Sequence, residues 1–205
     1  MRSSVETVIR RADQFFMKTD PVHQTLFNLA RRLDQEKIDY ALIGGMALNL
    51  HGYERMTVDV DLLLTKDGLE KFHSALAGLG YVPAFTGAKK HFRDTASSVK
   101  IEIITAGEYP GDGLPKDVVF PDPALVSEDI DGIKVARLET LIELKLASGL
   151  SAPHRIRDLA DVQQLIEVLN LPEDLASRLK PSVRDEYSRL WNATQEAANK
   201  GPGLE

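Results

Sequence analysis

Two aspartates separated by one residue, Asp59 and Asp61, are the side chains in this sequence best placed to do chemistry. Residues 57–64 alternate in polarity and predict a strand, so both carboxylates project from one face, about 7 Å apart. The apolar residues between and beside them project from the other face: Val58, Val60 and Leu62. Two such carboxylates repel each other unless cations or donors compensate, and a hard divalent ion prefers oxygen ligands of this kind. An Asp-x-Asp pair alone is a weak signal, because surface strands often carry one.

Two adjacent glycines precede the aspartates in a context that sharpens this signal. Gly44 and Gly45 end a short apolar run at residues 40–43, which predicts a buried strand, and a short helix is predicted at residues 46–50. At such a turn the backbone N–H groups point outward and favour an anion, and glycine lets the main chain approach phosphate closely. Mg²⁺ usually sits between carboxylates and substrate phosphates, so the two features complement each other.

A third acid, Glu102, lies in a further alternating stretch at residues 99–104, on the face opposite Ile101 and Ile103. If this strand lies beside the first one, Glu102 joins the two aspartates. It would then bind a second metal ion or take the proton from an attacking hydroxyl. The alternative is a solvent-facing glutamate on an edge strand.

These segments together resemble the signature of the nucleotidyltransferase superfamily of the DNA polymerase β type, in particular its bacterial minimal and AbiEii-like branch. The first matching segment is Gly44-Gly45-Met46-Ala47 followed by Arg55-x-Thr57-x-Asp59-x-Asp61. The second begins Leu138-Glu139-x-Leu141-Ile142-x-Leu144-Lys145-Leu146 and continues with Arg157-Asp158-x-x-Asp161-Val162. The resemblance extends over residues 40–165, and members of the branch include toxins of toxin–antitoxin pairs.

The resemblance implies a metal-dependent enzyme that moves a nucleoside monophosphate from a nucleoside triphosphate (NTP), such as ATP, to an acceptor hydroxyl and releases pyrophosphate. It implies that Mg²⁺ or Mn²⁺ is held by Asp59, Asp61 and Glu102, which are also the expected catalytic residues. The expected nucleotide-binding residues are Gly44, Gly45, Arg55, Thr57, Lys145 and Asp158. Lys145 would contact the triphosphate, and Asp158 would orient that lysine or the nucleotide.

Two departures from the family pattern leave other hypotheses open. Gly45 stands where many members have serine, and Glu102 stands where aspartate is common. A fold that binds nucleotide but is catalytically silent, acting as a regulator or partner subunit, is therefore an alternative. A third hypothesis treats the acids as a solvated strand edge.

Individual residues of the second segment also have structural alternatives. Lys145 lies among leucines and could extend its ammonium group from a core edge into solvent. Asp158 and Asp161 could pair with Arg155 and Arg157 along the helix. In the first segment, Arg55 could form a structural salt bridge instead of meeting phosphate.

Composition limits the class of protein. The chain has 205 residues, no cysteine and a formal net charge of −6, with 43% hydrophobic and 27% charged residues. This predicts a globular cytoplasmic protein without a membrane span or disulfides, and it argues against broad binding to duplex DNA. The expected partners are an NTP and an acceptor whose identity stays open between tRNA, a protein and a small molecule.

The element pattern predicts an α/β (α+β) fold, in which a small mixed-sheet nucleotidyltransferase core is flanked by helices and followed by a helical C-terminal part. The predicted limits are residues 1–126 for the core with its N-terminal helix, 127–200 for the helical part and 201–205 for a disordered tail.

Overall fold

The computed structural model describes residues 5–200, which contain one seven-stranded sheet and surrounding helices. The strands are Tyr40–Ile43 (β1), Asp59–Leu64 (β2), Tyr81–Pro83 (β3), His91–Asp94 (β4), Lys100–Thr105 (β5), Ser127–Ile130 (β6) and Ile133–Ala136 (β7). The α-helices are Val5–Phe16 (α1), Pro21–Gln35 (α2), Gly44–Leu50 (α3), Lys66–Ala75 (α4), Pro123–Val126 (α5), Leu138–Ser151 (α6), Ile156–Val168 (α7) and Pro181–Lys200 (α8). Short 3-10 helices occupy Pro153–Arg155 and Glu173–Arg178.

Strand β2, which carries the aspartates, is the central strand of the sheet, whose order is β3-β4-β5-β2-β1-β7-β6. It pairs antiparallel with β1 and parallel with β5, while β7 is parallel to β1. A central strand is covered on both faces, which explains why its second half, Leu62–Leu64, is apolar and fully buried. This mixed sheet with flanking helices confirms the predicted α/β (α+β) fold class.

The chain divides into two compact units. The first contains the described residues up to Leu50, together with Glu54–Ala106 and Pro121–Ala136. The second contains His51–Tyr53, Gly107–Phe120 and the described residues from Arg137 onward. The last crossing of the chain from the first unit to the second follows Ala136. The predicted domain limit at residue 126 stays a prediction. The predicted disordered tail at residues 201–205 lies outside the described residues.

Helix α2 supplies part of the core on which the sheet rests. Asp20 caps its first turn, accepting hydrogen bonds from the backbone N–H groups of Val22 at 2.7 Å and His23 at 3.3 Å. Leucines at helical spacing on the inner face are buried, as their pattern predicts: Leu26, Leu29 and Leu33. None of the helices within residues 5–200 is both long enough and apolar enough to cross a membrane.

Two elements of the first unit escaped sequence reasoning. Helix α1 was not expected, and β6 was expected to be loop because three of the four residues in Ser127–Ile130 are polar. Strand β6 is the edge strand of the sheet and therefore lacks a continuous apolar pattern. It pairs with β7 through the two-residue turn Asp131-Gly132, whose φ values are 54° and 81°. An Asp-Gly pair of this kind is a hairpin signal that the apolar pattern alone does not reveal.

Candidate active site

The strand β2 presents its aspartates as the alternation predicts. Asp59 and Asp61 are half-buried, whereas Val60 and Leu62, which point the other way, are fully buried. The strand begins at Asp59, later than residues 57–64 predict, and Val58 before it is 71% exposed. The ladder with β5 begins only at Asp59, so Val58 has no cross-strand neighbour in that pairing to cover it.

The turn from β1 into α3 brings the backbone of Gly44 against Asp61. The last residue of β1, Ile43, is the cross-strand partner of Asp61, and Gly44 then turns the chain with φ at +67°. A Cβ added at Gly44 would lie 1.9 Å from Oδ2 of Asp61, well inside any allowed contact. Glycine is therefore required twice, once for the left-handed backbone and once for the space that the carboxylate occupies.

The second glycine makes a similar close contact with Thr57. A Cβ at Gly45 would lie 2.8 Å from Oγ1 and 2.9 Å from Cβ of Thr57. Thr57 is only 8% exposed, and its hydroxyl donates a hydrogen bond to Oδ1 of Asp59 at 2.6 Å. The side chain of Thr57 thus lies between the glycine turn and the first aspartate. Its predicted role in nucleotide binding stays a prediction.

A residue that sequence reasoning missed, Asn49, holds this region together. Its Nδ2 donates to the backbone oxygen of Gly45 at 2.9 Å and of Arg55 at 2.7 Å. Its Oδ1 accepts from the backbone N–H of Arg55 at 2.9 Å. The asparagine therefore fastens the segment that leads into β2 onto helix α3. An amide among apolar residues of a short helix was the available signal.

Strand β5 is the parallel neighbour of β2, which is the condition on which the expectation for Glu102 depended. Glu102 is directly opposite Asp61, and Lys100 is directly opposite Asp59, so all four side chains belong to one face of the sheet. Glu102 is exposed, and Ile101 and Ile103 on the other face are buried. Within residues 5–200, however, no three acidic or histidine side chains form a group close enough to hold a metal ion.

The second unit contains a lysine enclosed by acids. Nζ of Lys145 lies 3.0 Å from Oδ1 of Asp158 and 2.7 Å from Oδ2 of Asp161. The side chains of Lys145 and Asp161 are only 11% and 4% exposed. Lys145 therefore does not extend into solvent but is paired with both aspartates. Asp161 binds Lys145 on α6, and Arg155 pairs with Asp158, as one of the structural alternatives held.

Two further side chains complete the surroundings of Asp158. Ser148 donates from Oγ to Oδ2 of Asp158 at 2.7 Å, and Arg155 donates from Nε to the same oxygen at 3.0 Å. The pKa of Asp158 lies below its ordinary value of 3.8. Burial by itself would raise this pKa, but four interactions together outweigh burial: the charge of Lys145, the hydrogen bonds from Ser148 and Lys145, and the charge of Arg155. Lys145, Asp158, Asp161, Ser148 and Arg155 form the cluster of the second unit. Ser148, like Asn49 in the first unit, was missed by sequence reasoning.

Comparison with known proteins assigns the chain to a class. The family model described as the nucleotidyl transferase AbiEii toxin of type IV toxin–antitoxin (TA) systems matches residues 25–200, which is most of the 205-residue chain. The protein is therefore a nucleotidyltransferase. It belongs to the AbiEii family, as the resemblance implied. None of the curated proteins compared with it matches the chain.

Several solved structures are similar to this one. JHP933 from Helicobacter pylori is 19% identical, with 87% of this chain and 92% of that chain covered and a TM-score of 0.46. An antigenic nucleotidyltransferase-like protein from Paracoccidioides brasiliensis is 17% identical, with 86% and 88% covered and a TM-score of 0.47. The antibiotic-resistance factor ANT(2'')-Ia is 12% identical, with 86% and 94% covered and a TM-score of 0.47.

We expect Gly44→Ala to lower the rate of nucleotidyl transfer by about 100-fold, since a misplacement of about 1 Å near an active site has an effect of that size. The new Cβ would push the carboxylate of Asp61 out of its position. The substitution also forces alanine into a left-handed backbone, which costs about 1–2 kcal/mol of unfolding free energy. Transfer of an α-labelled nucleotide and urea denaturation measure the two effects.

Gly87→Ala is the matched control for this substitution. Gly87 has a φ of +83° and nothing within 4 Å of an added Cβ, so it suffers the backbone strain without a clash. It should lose stability but retain transfer. Equal loss of transfer in both variants would show that the contact with Asp61 is unimportant.

We expect Asp158→Asn to lower the free energy of unfolding at pH 7 by about 1.5–3 kcal/mol, because Lys145 loses a charged hydrogen-bond partner. The native state depresses the pKa of Asp158, so its stabilising effect is fully present above the unfolded value and disappears as pH falls through the lower, folded value. The difference between wild type and variant should be constant from about pH 7 to 5 and shrink below about pH 4.

Urea denaturation at several pH values checks this dependence. Asp185→Asn, an exposed aspartate on α8 in the same unit, is the control and should change stability by less than about 0.5 kcal/mol. A difference between wild type and Asp158→Asn that already declines between pH 7 and 5 would contradict the assigned pKa direction.

Proposed function

We propose that this nucleotidyltransferase moves a nucleoside monophosphate from an NTP to an acceptor hydroxyl, with Mg²⁺ or Mn²⁺ bound by Asp59 and Asp61. The acceptor oxygen forms a bond to the α-phosphorus, the bond from that phosphorus to the bridging oxygen of the β-phosphate breaks, and pyrophosphate leaves. The observation that carries the proposal is the contact of the Gly44 backbone with Asp61, where an added Cβ would lie 1.9 Å from a carboxylate oxygen.

The residues present fit a divalent cation of this kind. Carboxylate oxygens are its preferred ligands, and Asp59 and Asp61 belong to the same face of one strand. A group of three acids is not required, because Mg²⁺ is commonly held by one or two carboxylates together with substrate phosphates rather than by a cage of protein ligands. When bound, the ion would neutralise negative charge on the phosphate oxygens as the leaving group departs.

The glycine turn and its neighbours are proposed to position the triphosphate. Gly44 and Gly45 carry no side chain, so the main chain can approach phosphate oxygens closely. Asn49 keeps that turn and the backbone of Arg55 in a fixed relation through its three hydrogen bonds. The side chain of Arg55 is proposed to meet phosphate, for which a guanidinium group is well suited.

Glu102 is proposed to act beside the aspartates. Its register opposite Asp61 and its exposure suit a carboxylate that takes the proton from the acceptor hydroxyl as the oxygen attacks. Binding of a second metal ion is the alternative role for the same side chain.

The cluster in the second unit is proposed to provide a fixed positive group for the triphosphate. Lys145 supplies the charge, and Asp158 orients it at 3.0 Å. Restraining a lysine by buried partners reduces the side-chain entropy that phosphate binding would otherwise cost. This assignment depends on the family resemblance together with the geometry of the second unit.

Family membership and composition support broader proposals. The family description names a toxin of a type IV toxin–antitoxin system, so we propose that transfer by this protein inhibits growth of the cell that produces it. The composition favours action in the cytoplasm. The proposed acceptor is tRNA, a protein hydroxyl or a small molecule.

We expect Asp59→Asn and Asp61→Asn each to reduce transfer of α-labelled nucleotide by about 100-fold or more, since charge stabilisation in the transition state is lost. Both variants should remain folded, because asparagine has the size of aspartate and keeps one acceptor oxygen. The assay offers each common NTP with Mg²⁺ or Mn²⁺ to tRNA, protein and small-molecule acceptors.

Glu70→Gln, which neutralises an exposed acid on α4, is the control and should retain transfer. A melting scan with metal and NTP gives a second measurement, because a ligand that binds the native state raises its melting temperature. Full activity of both aspartate variants would refute the proposal. Binding of metal and NTP by wild type without transfer to any acceptor would favour the catalytically silent alternative.

A further inference from the structure

We infer that Thr57 is a positioning residue that fixes the carboxylate of Asp59 for metal binding, and that it excludes a side chain from position 45. The inference deepens the proposed function and rests on it, because it takes Asp59 as a metal ligand. It assigns Thr57 a role other than the nucleotide contact that the resemblance implied.

The hydroxyl proton of Thr57 is the first argument. A threonine hydroxyl has one proton to donate, and Thr57 donates it to Oδ1 of Asp59 at 2.6 Å. Phosphate oxygens accept hydrogen bonds, so a hydroxyl already donating to a carboxylate can offer them only lone pairs. The geometry therefore suits Thr57 to holding the aspartate and not to binding the triphosphate.

The restraint on Thr57 itself is the second argument. A positioning residue must have a fixed side chain, and Thr57 is 8% exposed with a β-branched, rotamerically stiff side chain. Oγ1 and Cβ of Thr57 lie 2.8 and 2.9 Å from where a Cβ of residue 45 would be. Thr57 in turn hydrogen-bonds directly to Asp59. The glycine turn thus restrains Thr57, and Thr57 restrains the carboxylate of Asp59.

The departure of Gly45 from the family pattern has a physical reason in this contact. A serine at position 45 would place its Cβ within 3 Å of the Thr57 side chain, so residue 45 and residue 57 compete for one space. Glycine at position 45 therefore makes room for the side chain of Thr57, which explains the absence of a serine hydroxyl at that position.

The test compares two substitutions at one position. Thr57→Val keeps the shape and removes the hydroxyl, so we expect kcat to fall about 10-fold and the half-saturating concentration of Mn²⁺ to rise about 10-fold. A tenfold change corresponds to about 1.4 kcal/mol, which lies at the lower limit of what one charged hydrogen bond contributes. The KM for NTP at saturating Mn²⁺ should stay unchanged. Thr57→Ser should restore most of what Thr57→Val loses.

Direct binding of Mn²⁺ gives a readout that does not depend on activity. Titration of Mn²⁺ followed by electron paramagnetic resonance should show weaker binding to Thr57→Val and normal binding to Thr57→Ser. Thr95→Val is the matched control. It removes a hydroxyl that lies outside β2 and donates to the backbone oxygen of Gly80 at 3.1 Å, so it should change neither Mn²⁺ binding nor kcat.

Gly45→Ser tests the competition for space. It should lower the melting temperature of the wild-type background strongly, and much less in a Thr57→Gly background, where the opposing side chain is removed. Equal shifts in both backgrounds would overturn the coupling of positions 45 and 57.

The outcomes separate the inference from the function it deepens. An inactive Asp59→Asn with a Thr57→Val that binds Mn²⁺ normally would overturn the inference alone. A Thr57→Val variant with a raised KM for NTP and unchanged Mn²⁺ binding would show that Thr57 contacts the nucleotide instead, which would overturn the inference. A fully active Asp59→Asn would refute the proposed function itself.

Discussion

The close packing of a glycine backbone against a carboxylate is the constraint on which the candidate active site depends. Ile43 ends β1 opposite Asp61, and the chain must then turn at once to begin α3. It does so at Gly44, over the carboxylate, in a backbone conformation that side chains disfavour. The register of two central strands, the start of a helix and the position of an acid are thereby set by one contact.

A second constraint is electrostatic, since one face of the sheet concentrates acids. Asp59, Asp61 and Glu102 share that face, with Lys100 opposite Asp59 as a nearby positive group. Their partial or full exposure to water screens the repulsion, and Thr57 donates to one of the carboxylates. Acids that share one face of a sheet beside a tight backbone turn are typical of functional sites.

The second unit handles charge in the opposite way, by burial and pairing. Lys145 is nearly inaccessible to water, and a buried ammonium is tolerated only when its charge and donors are matched. Asp158 and Asp161 provide this match, while Ser148 and Arg155 satisfy the remaining oxygen of Asp158. Such a network holds the lysine in one rotamer, which a solvated lysine would not keep.

Sequence by itself determined the fold class, most strands and helices, the pairing of acids on β2 and the family. Alternation and helical spacing depend only on neighbours along the chain, and so they survive in the structure. Weakly apolar elements such as β6 were not predicted, because an edge strand forms by pairing with its neighbour and its own composition does not indicate that pairing. The predicted metal and nucleotide ligands stay predictions about chemistry at positions that the fold now defines.

Only tertiary structure decided which side chains touch. Four contacts join residues that lie outside one another's elements. They are Gly44 with Asp61, Gly45 with Thr57, Asn49 with the backbone of Arg55, and Lys145 with Asp161. Distances between elements follow from packing of the whole chain, which local patterns do not encode. The sequence therefore supplied the groups that can react, and the folded chain decided how each is held.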